Sequence, residues 1–129
     1  LLKDAAERAG ALQAKVLKTS GAFHTPLMQP AQDKLAAALD EVLPKMKAPT
    51  TTVWMNASAE AMQPGCDPKD IVDMLKKQLT NPVLWEQCVK NMIDDGVTEF
   101  YEVGPMKQIK AMMKRINAES WKNTTNVEV

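Results

Sequence analysis

From Asp67 to Ile116 the sequence is cut into short, clearly punctuated pieces, and that punctuation limits the fold more than any other feature. Asp67 is placed to cap a helix and Pro68 fills its first position, after which Ile71, Met74, Leu75 and Leu79 recur as one apolar stripe. Asn81-Pro82 ends that helix, because the residue before a proline is pushed out of helical geometry. A second helix carries Trp85, Cys88, Val89 and Met92 and stops at Gly96. Val97 to Val103 then reads as a strand, Gly104-Pro105 as a tight turn, and Met106, Ile109, Met113 and Ile116 as the buried stripe of a last helix. Helix and strand in alternation predict an α/β fold with at least part of its sheet parallel.

The remainder is less sharply marked. Residues 3–10 read as a helix closed by Gly10, and Lys15-Val16-Leu17-Lys18-Thr19 as a short strand alternating exposed and apolar positions. Thr25 is expected to cap the next helix, with Pro26 at its first position and Leu35, Leu39 and Val42 repeating to about Leu43. Thr51 to Met55 is β-branched and aromatic enough for a strand, Asn56 to Gly65 reads as a loop, and the chain from Asn117 as a frayed tail. Two or three short strands do not close a parallel sheet, and four or five amphipathic helices need more sheet to cover than these. Further layers are expected from elsewhere.

Composition narrows the function classes. With 129 residues, 16 basic and 16 acidic side chains and no net charge, the chain lacks the basic excess of a nucleic-acid or anionic-membrane binder. No apolar run approaches the roughly 18 residues of a membrane span, and the charged first residues, Leu1 to Arg8, do not read as a signal peptide. Cys66 and Cys88 are too few for a disulfide framework or a zinc site and predict free thiols in a reducing compartment. Asn56-Ala57-Ser58 and Asn123-Thr124-Thr125 match a glycosylation acceptor, but without a secretory signal they predict no glycan.

His24 is the only histidine, and it stands where a strand-like segment gives way to a helix-like one. From position alone two readings stay open: a proton-exchanging group at a chain reversal, or a histidine that hydrogen-bonds its neighbours. Its surroundings, Gly21-Ala22-Phe23-His24-Thr25-Pro26-Leu27-Met28, are followed in order by Gln78-Leu79-Thr80-Asn81-Pro82-Val83 with Trp85, and by Tyr101-Glu102-Val103-Gly104-Pro105. Together these segments resemble the C-terminal part of malonyl-CoA:acyl-carrier-protein transacylases over nearly the whole chain. Gly104-Pro105-Met106-Lys107 departs from the more common Gly-Pro-Gly-Lys of that family.

The resemblance implies the C-terminal section of an α/β-hydrolase-like large subdomain over residues 21–117, preceded over residues 1–20 by the last helix and strand of a ferredoxin-like small one, with 118–129 as a tail. It implies that His24 is the general base that activates a serine, and that the backbone carbonyl of Gln78 orients it. A polar residue ending a helix is the plainer reading of Gln78. Phe23 matches a position that accompanies malonyl selection, where a ring leaves little room for a branching methyl. The family's nucleophile lies in Gly-x-Ser-x-Gly, whose glycines permit a sharp strand-to-helix turn. Ser20, Ser58 and Ser120 are not flanked in that way, so the nucleophile section is expected to be absent and this chain alone inactive.

The implied reaction moves malonyl from malonyl-CoA to acyl carrier protein through a serine ester in fatty acid biosynthesis, with no resident cofactor or metal. The implied partners are acyl carrier protein and the missing N-terminal section, with neither nucleic acid nor membrane. The Gly-Ala-Phe-His-Thr form is similar to plastid-type members, so cytoplasm and plastid are both expected compartments. A silent interaction module of the same fold and a polyketide synthase acyltransferase domain remain as alternatives. Arg8 and Arg115 match no carboxylate-binding position. Lys107, Lys110, Lys114 and Arg115 fall on one side of the last helix, either to face an acidic carrier protein or as an ordinary solvated face.

Overall fold

The computed structural model describes residues 1–129. Six helices, α1 (Leu2–Arg8), α2 (Gln29–Val42), α3 (Pro68–Gln78), α4 (Trp85–Asp94), α5 (Gln108–Ile116) and α6 (Ala118–Lys122), alternate with four strands. The strands β1 (Val53–Trp54) and β2 (Ala61–Met62) form an antiparallel pair, and β3 (Phe100–Val103) and β4 (Thr124–Val127) a parallel one. The α/β reading and the parallel pairing hold.

The clearest punctuation folds as read. The Asp67 carboxylate accepts from the Lys69 amide at 2.9 Å with Pro68 at the first helical position of α3, and Gly96, at φ +91°, ends α4. Cys88 and Val89 of α4 and Met113 of α5 are fully buried. The α3 stripe of Ile71, Met74, Leu75 and Leu79 is half-buried beside the buried Val72, whereas the buried stripe expected of the last helix is a correction: Met106 precedes α5 and is exposed, Ile109 is exposed, Ile116 is half-buried, and only Met113 is buried.

Three weaker expectations fail for identifiable reasons. Lys15 to Thr19 forms no strand, and Val16 and Leu17 are exposed; no neighbouring strand offers these residues a hydrogen-bond ladder. The segment Asn56 to Gly65 is not all loop, because Ala61 and Met62 pair with Trp54 and Val53. That hairpin docks on α4 through its tip: the Asn91 amide donates to the Ala59 carbonyl (2.9 Å), and the Leu84 amide to the Asn56 carbonyl (2.8 Å).

The supposed tail is ordered structure. Asn117 caps α6 by accepting from the Ser120 amide (2.9 Å), and β4 then runs beside β3 with Phe100 opposite Thr124 and Val103 opposite Val127. Its buried members, Ser120 and Thr124, are polar, and the Thr124 hydroxyl donates to the Ser120 backbone carbonyl at 2.6 Å. A search for apolar periodicity passes over such a segment. Tyr101 and Val103 remain 62% and 68% exposed on one face of β3, whereas parallel sheets are ordinarily covered on both faces.

Candidate functional site: an imidazole held by a helix end

The last turn of a helix leaves backbone carbonyls with no partner inside the helix. At the end of α3 two of these, on Gln78 and Leu79, both accept hydrogen bonds from one residue, His24. The His24 ring Nδ1 lies 2.9 Å from the Gln78 oxygen, and its backbone N–H donates to the Leu79 oxygen at 3.0 Å. A carbonyl only accepts, so Nδ1 carries the proton and Nε2 keeps its lone pair. Nε2 hydrogen-bonds no group of the chain. The Leu79 carbonyl had no signal in the sequence, because any residue type supplies one.

His24 has φ +62°, in the left-handed region that non-glycine residues seldom enter. It occupies the third position of the turn Ala22–Thr25, where a type II turn calls for positive φ. Thr25 precedes the single 3₁₀ turn Pro26–Met28 that leads into α2, yet its side chain caps nothing; the hydroxyl points back and donates to the Ala22 carbonyl at 2.7 Å. This corrects the expected capping role.

Phe23 is half exposed beside the imidazole. A Cβ built on Gly21 would come within 3.1 Å of the Phe23 ring, so the missing side chain lets the ring fold back onto the backbone. Phe23 and His24 open onto a concavity of about 290 Å³ whose walls are Leu35 and Leu39 of α2 and Leu75 of α3. An ion pair between Lys76 of α3 and Asp40 of α2, at 2.6 Å, bridges the two helices. The arrangement is an oriented imidazole with a free lone pair on the rim of an apolar hollow, which is what a general base for a weak alcohol or thiol nucleophile requires.

The other chemistry-bearing side chains stand apart from it. No serine hydrogen-bonds His24: Ser58 accepts from the Glu60 amide, and Ser120 is buried beside Thr124. The Cys88 thiol donates to the Met55 carbonyl, and burial pushes its pKa up, away from the thiolate form. Nowhere do three His, Cys, Asp or Glu side chains gather closely enough to hold a metal ion. Of the basic residues near α5, Lys110 donates to the Thr124 carbonyl and Lys114 lies 4.8 Å above the Trp121 ring, so two of the four are engaged within the chain.

One further charged group is built into the backbone. The Glu102 carboxylate, buried on β3, accepts from the Ile109 and Lys110 amides at the start of α5, each at 2.9 Å. Burial alone would raise its pKa, but the amides of Lys110, Ile109 and Gln108 outweigh that effect and hold it below the usual carboxylate value. Across from it the Asn126 side-chain amide of β4 donates to the carbonyls of Glu102, Gly104 and Met106, and the Met106 side chain is exposed. The sequence reading took Glu102 only as part of a motif.

No family model matches the chain. Among characterised proteins, it is 37% identical over 117 residues to the malonyl CoA-acyl carrier protein transacylase of Bacillus subtilis, covering 91% of this chain and 35% of that protein. To the enzyme of the same name from Escherichia coli K12 it is 40% identical over 121 residues, covering 88% of this chain and 38% of the relative. A solved malonyl transacylase, in complex with a type II polyketide synthase acyl carrier protein, superimposes with a TM-score of 0.81 at 31% identity, covering 98% of this chain and 38% of that one. The chain thus spans about a third of the length of the relatives it matches.

Proposed function

We propose, from the premise that this chain is homologous over some nine-tenths of its length to one section of the malonyl-CoA-acyl carrier protein transacylases, that it supplies the general base of a malonyl transfer completed by a further section. The observation that carries the proposal is the 2.9 Å bond from His24 Nδ1 to the Gln78 carbonyl, which leaves Nε2 free beside an apolar hollow.

In this reading Nε2 takes the proton of a serine hydroxyl supplied by the other section as its oxygen attacks the malonyl thioester. The tetrahedral adduct collapses, the carbon–sulfur bond breaks, and the imidazolium returns the proton to the departing coenzyme A sulfur. The phosphopantetheine thiol of acyl carrier protein then gives its proton to Nε2 and attacks the serine ester, and the released serine oxygen is reprotonated by the same ring. The Gln78 carbonyl keeps the imidazole in the required tautomer and steadies its cationic form. Phe23, beside the base, narrows the space for a branched acyl chain, and excluding one methyl is worth about 1–3 kcal/mol. No resident cofactor is needed, because each substrate brings its own thiol or thioester.

Residues 21–117 would belong to the large α/β-hydrolase-like subdomain and residues 1–20 to the end of the small ferredoxin-like one. The carrier protein seen with the solved neighbour belongs to a polyketide synthase, so a carrier of either fatty acid or polyketide synthesis suits the proposal. No helix is long and apolar enough to cross a membrane.

The test is malonyl transfer from malonyl-CoA to acyl carrier protein. This chain alone is expected to show none, and the longer protein that carries it to turn over at about 1–1000 per second, the usual enzyme range. Turnover by the chain alone, or silence of the longer protein, overturns the proposal.

A further inference from the structure

We propose that the Thr25 hydroxyl is a positioning group for His24, closing the turn that holds the imidazole in its left-handed conformation; this rests on His24 being the base. Both bonds from α3, to the ring and to the backbone N–H, pull His24 from one side. Neither fixes the turn that carries it. A residue at φ +62° tends to relax to an extended or helical conformation unless its neighbours forbid it.

Thr25 supplies that restraint. Its Oγ1 donates to the Ala22 carbonyl at 2.7 Å, joining the first and last residues of the turn across Phe23 and His24. Its own backbone is extended at φ −135° and ψ 160°, it is followed by Pro26 with its fixed φ, and its carbonyl accepts from the Met28 amide at 3.0 Å. Thr25 therefore ties the turn to the start of α2 with one side and clamps the turn with the other. An ordinary capping threonine would spend its hydroxyl on the amides of the following turn, and this one makes no such bond.

The roles separate by experiment. His24 is the only histidine of this chain, so nitrogen-15 labelling confined to this segment of the longer protein reports one imidazole. The wild-type ring is expected as the Nδ1–H tautomer alone. Thr25→Val keeps the shape but removes the hydroxyl, and is expected to give a mixture of tautomers. In the longer enzyme it should lower kcat about 3- to 10-fold, the weight of one hydrogen bond, with KM changed less than about 2-fold. Thr25→Ser should restore both the single tautomer and the rate. A pure Nδ1–H ring in Thr25→Val overturns the proposal whatever the rate, as does a serine variant that fails to restore it. Should the valine variant not fold, Thr25→Ser against wild type decides alone, since a mixed tautomer there is equally fatal. A tautomer mixture in Thr25→Val with unchanged kcat supports the positioning and instead removes His24 as the base.

Discussion

Two helix ends in this molecule use their unpaired backbone groups in opposite senses. The C-terminal end of α3 presents the carbonyls of Gln78 and Leu79 to His24, and the N-terminal end of α5 presents the amides of Ile109 and Lys110 to Glu102. The first collects a donor and so fixes a proton on Nδ1. The second collects an acceptor and so fixes an anion, as the positive end of a helix favours. Burial separates them further: Glu102 is enclosed beside the ordered pair β3 and β4, while His24 lies on the rim of an open hollow next to the exposed Phe23. A closed end of this kind serves stability, and an open one leaves a nitrogen for chemistry.

If that division is right, removing the two side chains must do different damage. His24→Ala in the longer enzyme should lower kcat by at least about three orders of magnitude, as loss of a catalytic-unit member does, while leaving the melting temperature nearly unchanged. Rate and melting are measured on the same preparation. A variant with near-normal turnover would reduce His24 to a structural residue, and the contrast between the two helix ends would vanish.

Glu102→Gln should do the reverse, lowering the melting midpoint by a few degrees with little effect on the chemistry. A folded-state pKa below the ordinary 4.5 means that the charged carboxylate contributes stability above that value, and that the contribution is lost as pH falls through the lower folded value. Melting followed from neutral pH into acid should therefore fall along a steeper limb in wild type than in Glu102→Gln. Parallel limbs would show that the amides of α5 hold no charge.

The contrast also marks what a sequence can disclose. Asp67-Pro68, Asn81-Pro82 and Gly96 act on their own stretch of chain, through a cap on an amide two residues on, a proline ring or a positive φ, so the boundaries they set were legible without a structure. His24 and Gln78 were paired only by what the family resemblance of their motifs implied, and the distance of 2.9 Å between ring and carbonyl gives that pairing its physical content. Thr25, Glu102, Asn117 and Thr124 were misread or passed over for a common reason. Each is a polar side chain whose partner is a backbone group, 3 to 8 residues away in the chain. Apolar periodicity registers burial by hydrophobicity and is blind to burial by hydrogen bonding. The strand expected at Lys15 to Thr19 failed in the opposite way, since its alternation was correct for a strand but no partner strand stood beside it.

The smallest effect is the most discriminating. Gln78 contributes to the imidazole only its main-chain oxygen, which every substitution except one that disturbs the helix end retains. Gln78→Ala keeps that oxygen, and alanine is at least as good a helix former as glutamine at the last position of α3. Its kcat should therefore stay within about 3-fold of wild type, well under the effect of a lost hydrogen bond to a charged group, roughly 10- to 100-fold. The ring should remain in the Nδ1–H tautomer in the nitrogen-15 spectrum. A loss in Gln78→Ala approaching that of His24→Ala would mean that the glutamine side chain reaches the reacting groups when the site is complete, and the helix end would then be a bystander to the chemistry.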